Sequence, residues 1–142
     1  GGMGASPERD GLSGVHTHMT NTRNTPVEAL EHYLPIRIRR YTLRKDAGGR
    51  GKFRGGDGIV REFEFLAPAL VNILSERRKF RPYGLAGGSP GKRGINILIS
   101  RGKAKSLGAK ASFTVKRSDR VVIKTPGGGG YGKARLRGRN KE

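Results

Sequence analysis

Ile36-Arg37-Ile38-Arg39-Arg40-Tyr41-Thr42-Leu43-Arg44 begins as an alternation of apolar and charged residues and then changes parity. Successive strand side chains point to opposite faces, so Ile36 and Ile38 fall on one side and Tyr41 and Leu43 on the other. One extra residue restores a single apolar face. The stretch therefore predicts a strand with a β-bulge at Arg39-Arg40.

The same reading extends down the chain. Ile59, Phe63 and Phe65 share a face opposite Glu62 and Glu64, with Arg61 as the exception on the apolar side. Leu70 to Ser75, the alternation Ile95, Ile97, Ile99, then Phe113 to Val115 and Arg120 to Lys124 read as further strands, with Arg101-Gly102-Lys103 as a hairpin turn. Upstream, Pro26 opens a short helix from Val27 to His32, with Thr25 as N-cap, Glu28 completing a capping box, and Pro35 as the stop. Six or seven short strands and one short helix predict a mainly β protein, an irregular β-sandwich or barrel. Residues 1–32 form a polar, loop-rich approach ending in the helix, 33–132 a β-rich domain, and 133–142 a basic tail expected to be disordered.

Composition narrows the function. Of 142 residues, 24 are glycine, more than twice the usual share of about 7%, so turns and close backbone approaches dominate. Cysteine is absent, which excludes disulfides and thiolate metal sites. No apolar run approaches the roughly 18 residues that span a bilayer, and the start lacks a cationic region followed by an apolar one, so a soluble cytoplasmic protein is expected. The net charge is +19 and uneven: residues 1–32 hold two basic and four acidic groups, whereas 33–142 hold 28 basic and 7 acidic. Such a field attracts polyanions, nucleic acid among them, and acidic subunits.

His16 to Glu28 gathers imidazole, amide, hydroxyl, guanidinium and carboxylate groups, each of which costs on the order of 1–3 kcal/mol if buried without a partner. The run therefore lines a polar pocket, a subunit contact or open solvent. His16 and His18 share a face on a strand and offer two imidazoles to a metal, to proton transfer, or to ordinary hydrogen bonds. Asp10, Glu28 and His32 are the available third ligands. Asn21 and Asn24 orient a carbonyl or carboxylate, or cap turns.

Residues 46–58, rich in glycine and carrying Arg50, Lys52 and Arg54, suit an anion cradle or a structural turn. They are not a Walker loop, because Phe53 follows Lys52. Arg77-Arg78-Lys79-Phe80-Arg81-Pro82-Tyr83 mixes cations with aromatic rings, which suits single-stranded nucleic acid or salt bridges to an acidic partner. All three histidines precede residue 33, so no Ser-His-Asp arrangement is read.

Taken in order, Gly1-Gly2-Met3-Gly4-Ala5, Asp10-Gly11, the run His16 to Glu28, Gly48-Gly49, Arg54 to Gly58, Glu76 to Phe80, Gly84 to Gly88 and Pro126 to Gly132 resemble the carboxy-terminal part of the hydantoinase B family. That family includes the B subunits of N-methylhydantoinase and 5-oxoprolinase and the related large subunits of acetone-type carboxylases. The resemblance implies a hydrolase system that opens a cyclic amide, such as hydantoin or 5-oxoproline, at the expense of ATP. It further implies ATP with Mg on a hydantoinase A-type subunit, a divalent metal outside this chain, and the remaining B-subunit portion as a partner. His16, His18, Asn21, Asn24 and Glu28 are then the expected residues of a shared catalytic pocket, and Arg54, Arg78 and Arg81 the expected anion-binding or docking groups. The competing expectation is a small basic nucleic-acid-binding protein, and a third is a non-catalytic assembly piece that binds an acidic partner.

Overall fold

The computed structural model describes residues 1–16 and 24–134. Two antiparallel sheets, not closed into a barrel, carry the chain. Strands β1 (Ile36–Arg44), β2 (Gly58–Phe65), β4 (Ile95–Ser100), β5 (Lys103–Leu107) and β7 (Arg120–Lys124) form one sheet in the order β1-β2-β7-β4-β5. Strands β3 (Ala69–Leu74) and β6 (Lys110–Val115) pair as the second. The sandwich core is Phe65, Val115 and Val121, backed by Ile36, Phe63, Leu98 and Ile123 from the large sheet and Val71, Ile73 and Phe113 from the small one. Each fully buried apolar side chain of this size contributes about 1.5–3 kcal/mol.

The bulge lies where the parity change puts it. Ile38 pairs with Phe63 and Arg40 with Glu62, so Arg39 is the extra residue. The Ile38 N–H donates at 2.7 Å to Oε1 of Glu31, so helix α1 (Val27–Tyr33) fastens the strand beside the irregularity. The predicted cap of that helix is corrected: Pro26 occupies the N-cap with ψ 146°, and among the described residues no side chain caps the end. Glu28 is thereby the second helical residue, not the third, and the capping-box geometry with Thr25 is lost.

The hairpin turn is as read. Ser100 pairs with Lys103, and Arg101 and Gly102 have φ of 51° and 73°, the two positive values of a type I′ turn. Strand β5 itself escaped the sequence reading. Its Lys103-Ala104-Lys105-Ser106-Leu107 has no apolar period, because it is an edge strand whose lysines face solvent.

Beside the sheets stands a layer of extended segments that no strand pattern predicts. Pro126 to Tyr131 forms its axis. A Cβ added at Gly127 would overlap the carbonyl of Ala47, at Gly128 that of Met3, at Gly129 that of Tyr83, and at Gly130 that of Arg50. The first and fourth contacts fall on the same neighbouring segment, so the rod turns once in three residues, the period of a polyproline II helix. Neighbours crowd all three sides, which is why four consecutive positions are glycine. Cross-links fix the bundle: Gly127 donates to Lys92 O at 3.1 Å, Gly128 to Gly56 O at 2.9 Å, Gly130 to Ser89 O at 2.9 Å, and Ala5 to Gly129 O at 2.9 Å.

Candidate functional site

The glycine layer pulls charged loops together. The segment 44–54 leaves β1, and the loop 76–94 leaves β3; both are tied to the 126–131 rod. Two concavities result. One, of about 230 Å3, is lined by Arg50, Arg54, Arg81 and Lys92 with Asp46. The other, of about 380 Å3, is lined by Arg44, Lys79, Arg81, Lys92 and Arg93. Arg81 and Lys92 belong to both, so the two form one groove.

Arg54 is anchored rather than loose. Its Nη2 lies 3.0 Å from Oδ1 of Asp57 and 3.5 Å from Oδ1 of Asp46. Its own N–H donates to Asp10 Oδ1 at 2.7 Å, so the carboxylate weighed as a metal ligand holds a loop. Asp57 also accepts from the N–H groups of Ala47 at 2.8 Å and Gly48 at 2.9 Å. Arg81 donates Nε–H to Gly91 O at 3.2 Å, which leaves its two NH2 groups as donors.

Arg78 stands apart from the groove. It is half-buried, with Nε 3.1 Å from Oδ1 of Asn96 and Nη1 2.6 Å from Glu76 O. Burial lowers its pKa first, the nearby Arg44 lowers it further, and Glu76 pulls the other way. Burial also lowers the pKa of Arg44. Asn96, fully buried, completes a node by donating to Ser75 Oγ and Gly108 O, each at 3.0 Å.

The polar run is only partly within the described residues. His18 and Asn21 lie outside them. His16 is exposed, just after Val15, whose N–H donates to Gly1 O at 2.9 Å. Asn24 donates Nδ2–H to Tyr41 Oη at 3.0 Å, which sets the re-entering chain against β1. Glu28 is exposed in the first turn of α1, and His32 meets Tyr33 edge to face at 5.2 Å. Beside Tyr41 is a small open hollow of about 260 Å3 shared with Ser13, Gly14, Leu43 and Ile59. Among the described residues no group of three or more His, Cys, Asp or Glu is placed to hold a metal ion.

Sequence reasoning missed Arg44, Lys92 and Arg93, and read Lys79 only as part of the Arg77–Tyr83 cluster. These charges sit at a strand end or in loops, and the long-range glycine contacts reveal that they converge.

Comparison with known proteins adds a consistent set of similarities. The sequence model described as Hydantoinase B/oxoprolinase matches residues 1–134. The chain is 47% identical over 133 residues to a 5-oxoprolinase of Dictyostelium discoideum, covering 93% of this chain and 10% of that protein. It is 50% identical over 133 residues to 5-oxoprolinase 1 of Arabidopsis thaliana, again covering 93% and 10%. It thus spans about a tenth of the length of these curated relatives. Among solved structures, the ATP-dependent caprolactamase from Pseudomonas jessenii is similar at a TM-score of 0.77 and 29% identity, covering 93% of this chain and 24% of that one. A nucleotide-free acetone carboxylase shares the fold at a TM-score of 0.71 and 16% identity, covering 92% and 22%.

Proposed function

The chain belongs to the hydantoinase B/oxoprolinase family, and from that membership we propose that it works as the carboxy-terminal, β-rich portion of an ATP-dependent cyclic-amide hydrolase. Its substrate is a hydantoin or 5-oxoproline. Its partners are the remaining hydantoinase B portion and an ATP-binding A-type subunit, assembled in the cytoplasm. The observation that carries this reading is the 47% identity to a 5-oxoprolinase across 93% of the chain but 10% of that relative. A piece so similar and so small completes a larger machine.

In this reading the A-type subunit would hold ATP with Mg, which would supply the phosphoryl group that activates the ring carbonyl and leave as ADP. Among the described residues no group of three or more His, Cys, Asp or Glu is placed to hold a metal ion; the divalent ion that the family implies is proposed for the remaining portion. What this chain supplies is polar lining. His16 and His18 exchange protons with the opening ring, Asn21 and Asn24 orient its carbonyl, and Glu28 completes the lining. Arg54, Arg78 and Arg81 bind anions or dock the partners.

The test is reconstitution. Co-expression with both partner portions should give ATP-coupled ring opening of 5-oxoproline or hydantoin that is lost when this chain is omitted. His18→Ala and Asn24→Ala should each lower kcat at least tenfold, about 1.4 kcal/mol of barrier, without dissociating the complex. Turnover that persists without the chain removes the reading.

One observation favours a second reading. Exposed Phe80 and Tyr83 carry Lys79 Nζ and the Arg77 guanidinium at 5.5 and 5.8 Å from their ring centroids, an arrangement suited to stacking bases beside phosphates. Binding of single-stranded RNA that weakens steeply with salt, and weakens further in Arg77→Ala, is its signature.

A further inference from the structure

The groove centred on Arg81 and Lys92 has the makings of a specific site rather than a diffuse positive surface. Asp46 is the sole carboxylate in its lining among the described residues, and Arg54 already meets it at 3.5 Å. The cations are held in place. Arg44 Nη1 donates to Arg93 O at 2.8 Å and Thr125 O at 3.0 Å, and Arg81 Nε donates to Gly91 O at 3.2 Å. Lys92 is clamped at both ends of its backbone, donating to Ala47 O at 2.7 Å and accepting from Gly127 N–H at 3.1 Å. Guanidinium groups fixed along one edge present their other N–H donors with little further entropy loss.

Charge and shape then select the ligand. Cations that line one hollow repel one another, and an anion of two or more charges relieves that repulsion better than a carboxylate does. Among the described residues no aromatic side chain lines either concavity, so these residues offer donors for phosphate oxygens and no platform for a base. A volume of about 230 Å3 around Arg50, Arg54, Arg81 and Lys92 suits a small molecule.

We propose that this groove is a binding site for the phosphate group of a small phosphate-bearing anion, with Arg81 and Lys92 at its centre. The site rests on geometry alone and requires no turnover, so its failure and the failure of the hydrolase reading are distinguishable.

Calorimetric titration of the 142-residue chain with inorganic phosphate, pyrophosphate and ATP, at constant ionic strength set by sodium chloride, tests it. One-to-one saturable binding of any of the three supports the site. The tightest identifies the source as free phosphate, a diphosphate or a nucleotide. The double variant Arg81→Met/Lys92→Met should weaken that binding at least tenfold. The control Lys103→Met/Lys105→Met, which removes equal charge from the exposed edge of β5, should change it less than twofold. Should the first variant fail to fold, amide shifts in the unaltered chain serve instead, and changes centred on Arg81, Lys92 and Arg93 support the site. Equal weakening by the two double variants, shifts spread over the whole basic surface, or binding only to a single-stranded oligonucleotide overturns it.

Discussion

Arg78 donates Nε–H to Oδ1 of Asn96 across 3.1 Å, and through this bond the loop after β3 is fastened to the start of β4 in the large sheet. Asn96 also holds Ser75, just after β3, and Gly108, where the chain passes from β5 in one sheet to β6 in the other. Replacing Asn96 with Ala strands a half-buried guanidinium and two oxygens at once. We expect Asn96→Ala to cost about 3 kcal/mol, read as a lowered urea midpoint at unchanged m-value. Near-wild-type stability would show that water replaces the amide without loss.

The glycine rod predicts a sharp contrast between two chemically identical changes. Gly129→Ala places a methyl group onto the Tyr83 carbonyl, whereas Gly108→Ala meets nothing nearer than Lys110 O at 3.6 Å. The first should abolish cooperative unfolding. The second should shift stability by no more than about 0.5 kcal/mol, as for a surface substitution. Thermal melts of both, side by side, decide the matter; comparable melting would mean that the rod is not packed on all sides.

Asp119 predicts an acid limb. Its pKa lies below the ordinary 3.8 because the Ser100 hydroxyl and the Lys116 N–H bond its carboxylate, helped by the charges of Lys116 and Arg101, while burial opposes them. A carboxyl whose folded pKa is lowered stabilises the fold fully above its unfolded value and loses that contribution as pH falls through the folded one. Wild-type stability should therefore decline below about pH 3.8. Asp119→Asn should flatten the decline in a pH series of chemical denaturation, and an unchanged acid slope would assign it to other carboxylates.

Arg61 sits between two rings, its guanidinium carbon 4.8 Å from the Tyr41 centroid and 5.2 Å from that of Phe63. Its Nε and Nη2 are buried without an acceptor among the described residues. The cost of those donors exceeds what cation–π contact returns, about 0.5–2 kcal/mol. Arg61→Met should therefore hold or raise stability, by up to about 1 kcal/mol. A loss larger than that, measured by equilibrium unfolding, would reveal an acceptor that meets Arg61 in solution.

Much of the sheet architecture was legible because it is written in local alternation. The parity change at Arg39-Arg40, the Arg101-Gly102 turn and the anomaly at Arg61 can each be read within a window of a few residues. Alternation misled where both faces are covered: Glu62 reads as solvent-facing, yet it is buried with its Oε1 2.7 Å from Arg120 Nη1. Pro26 displaced Thr25 from the helix cap by one position, a detail set by backbone angle rather than residue preference. The groove was the least legible feature. Arg54 and Arg81 were named as anion-binding candidates, but their meeting with Lys92 depends on contacts between segments dozens of residues apart.

The glycine rod also dictates an order of events during synthesis. Every segment that leans on it, from Gly1 to Lys92, is synthesised before residues 126–131 exist. Until then the earlier segments lack the axis around which they assemble. Such a chain closes late and all at once, as expected when contacts of high sequence separation dominate, and the interval before closure is when a chaperone has most to protect.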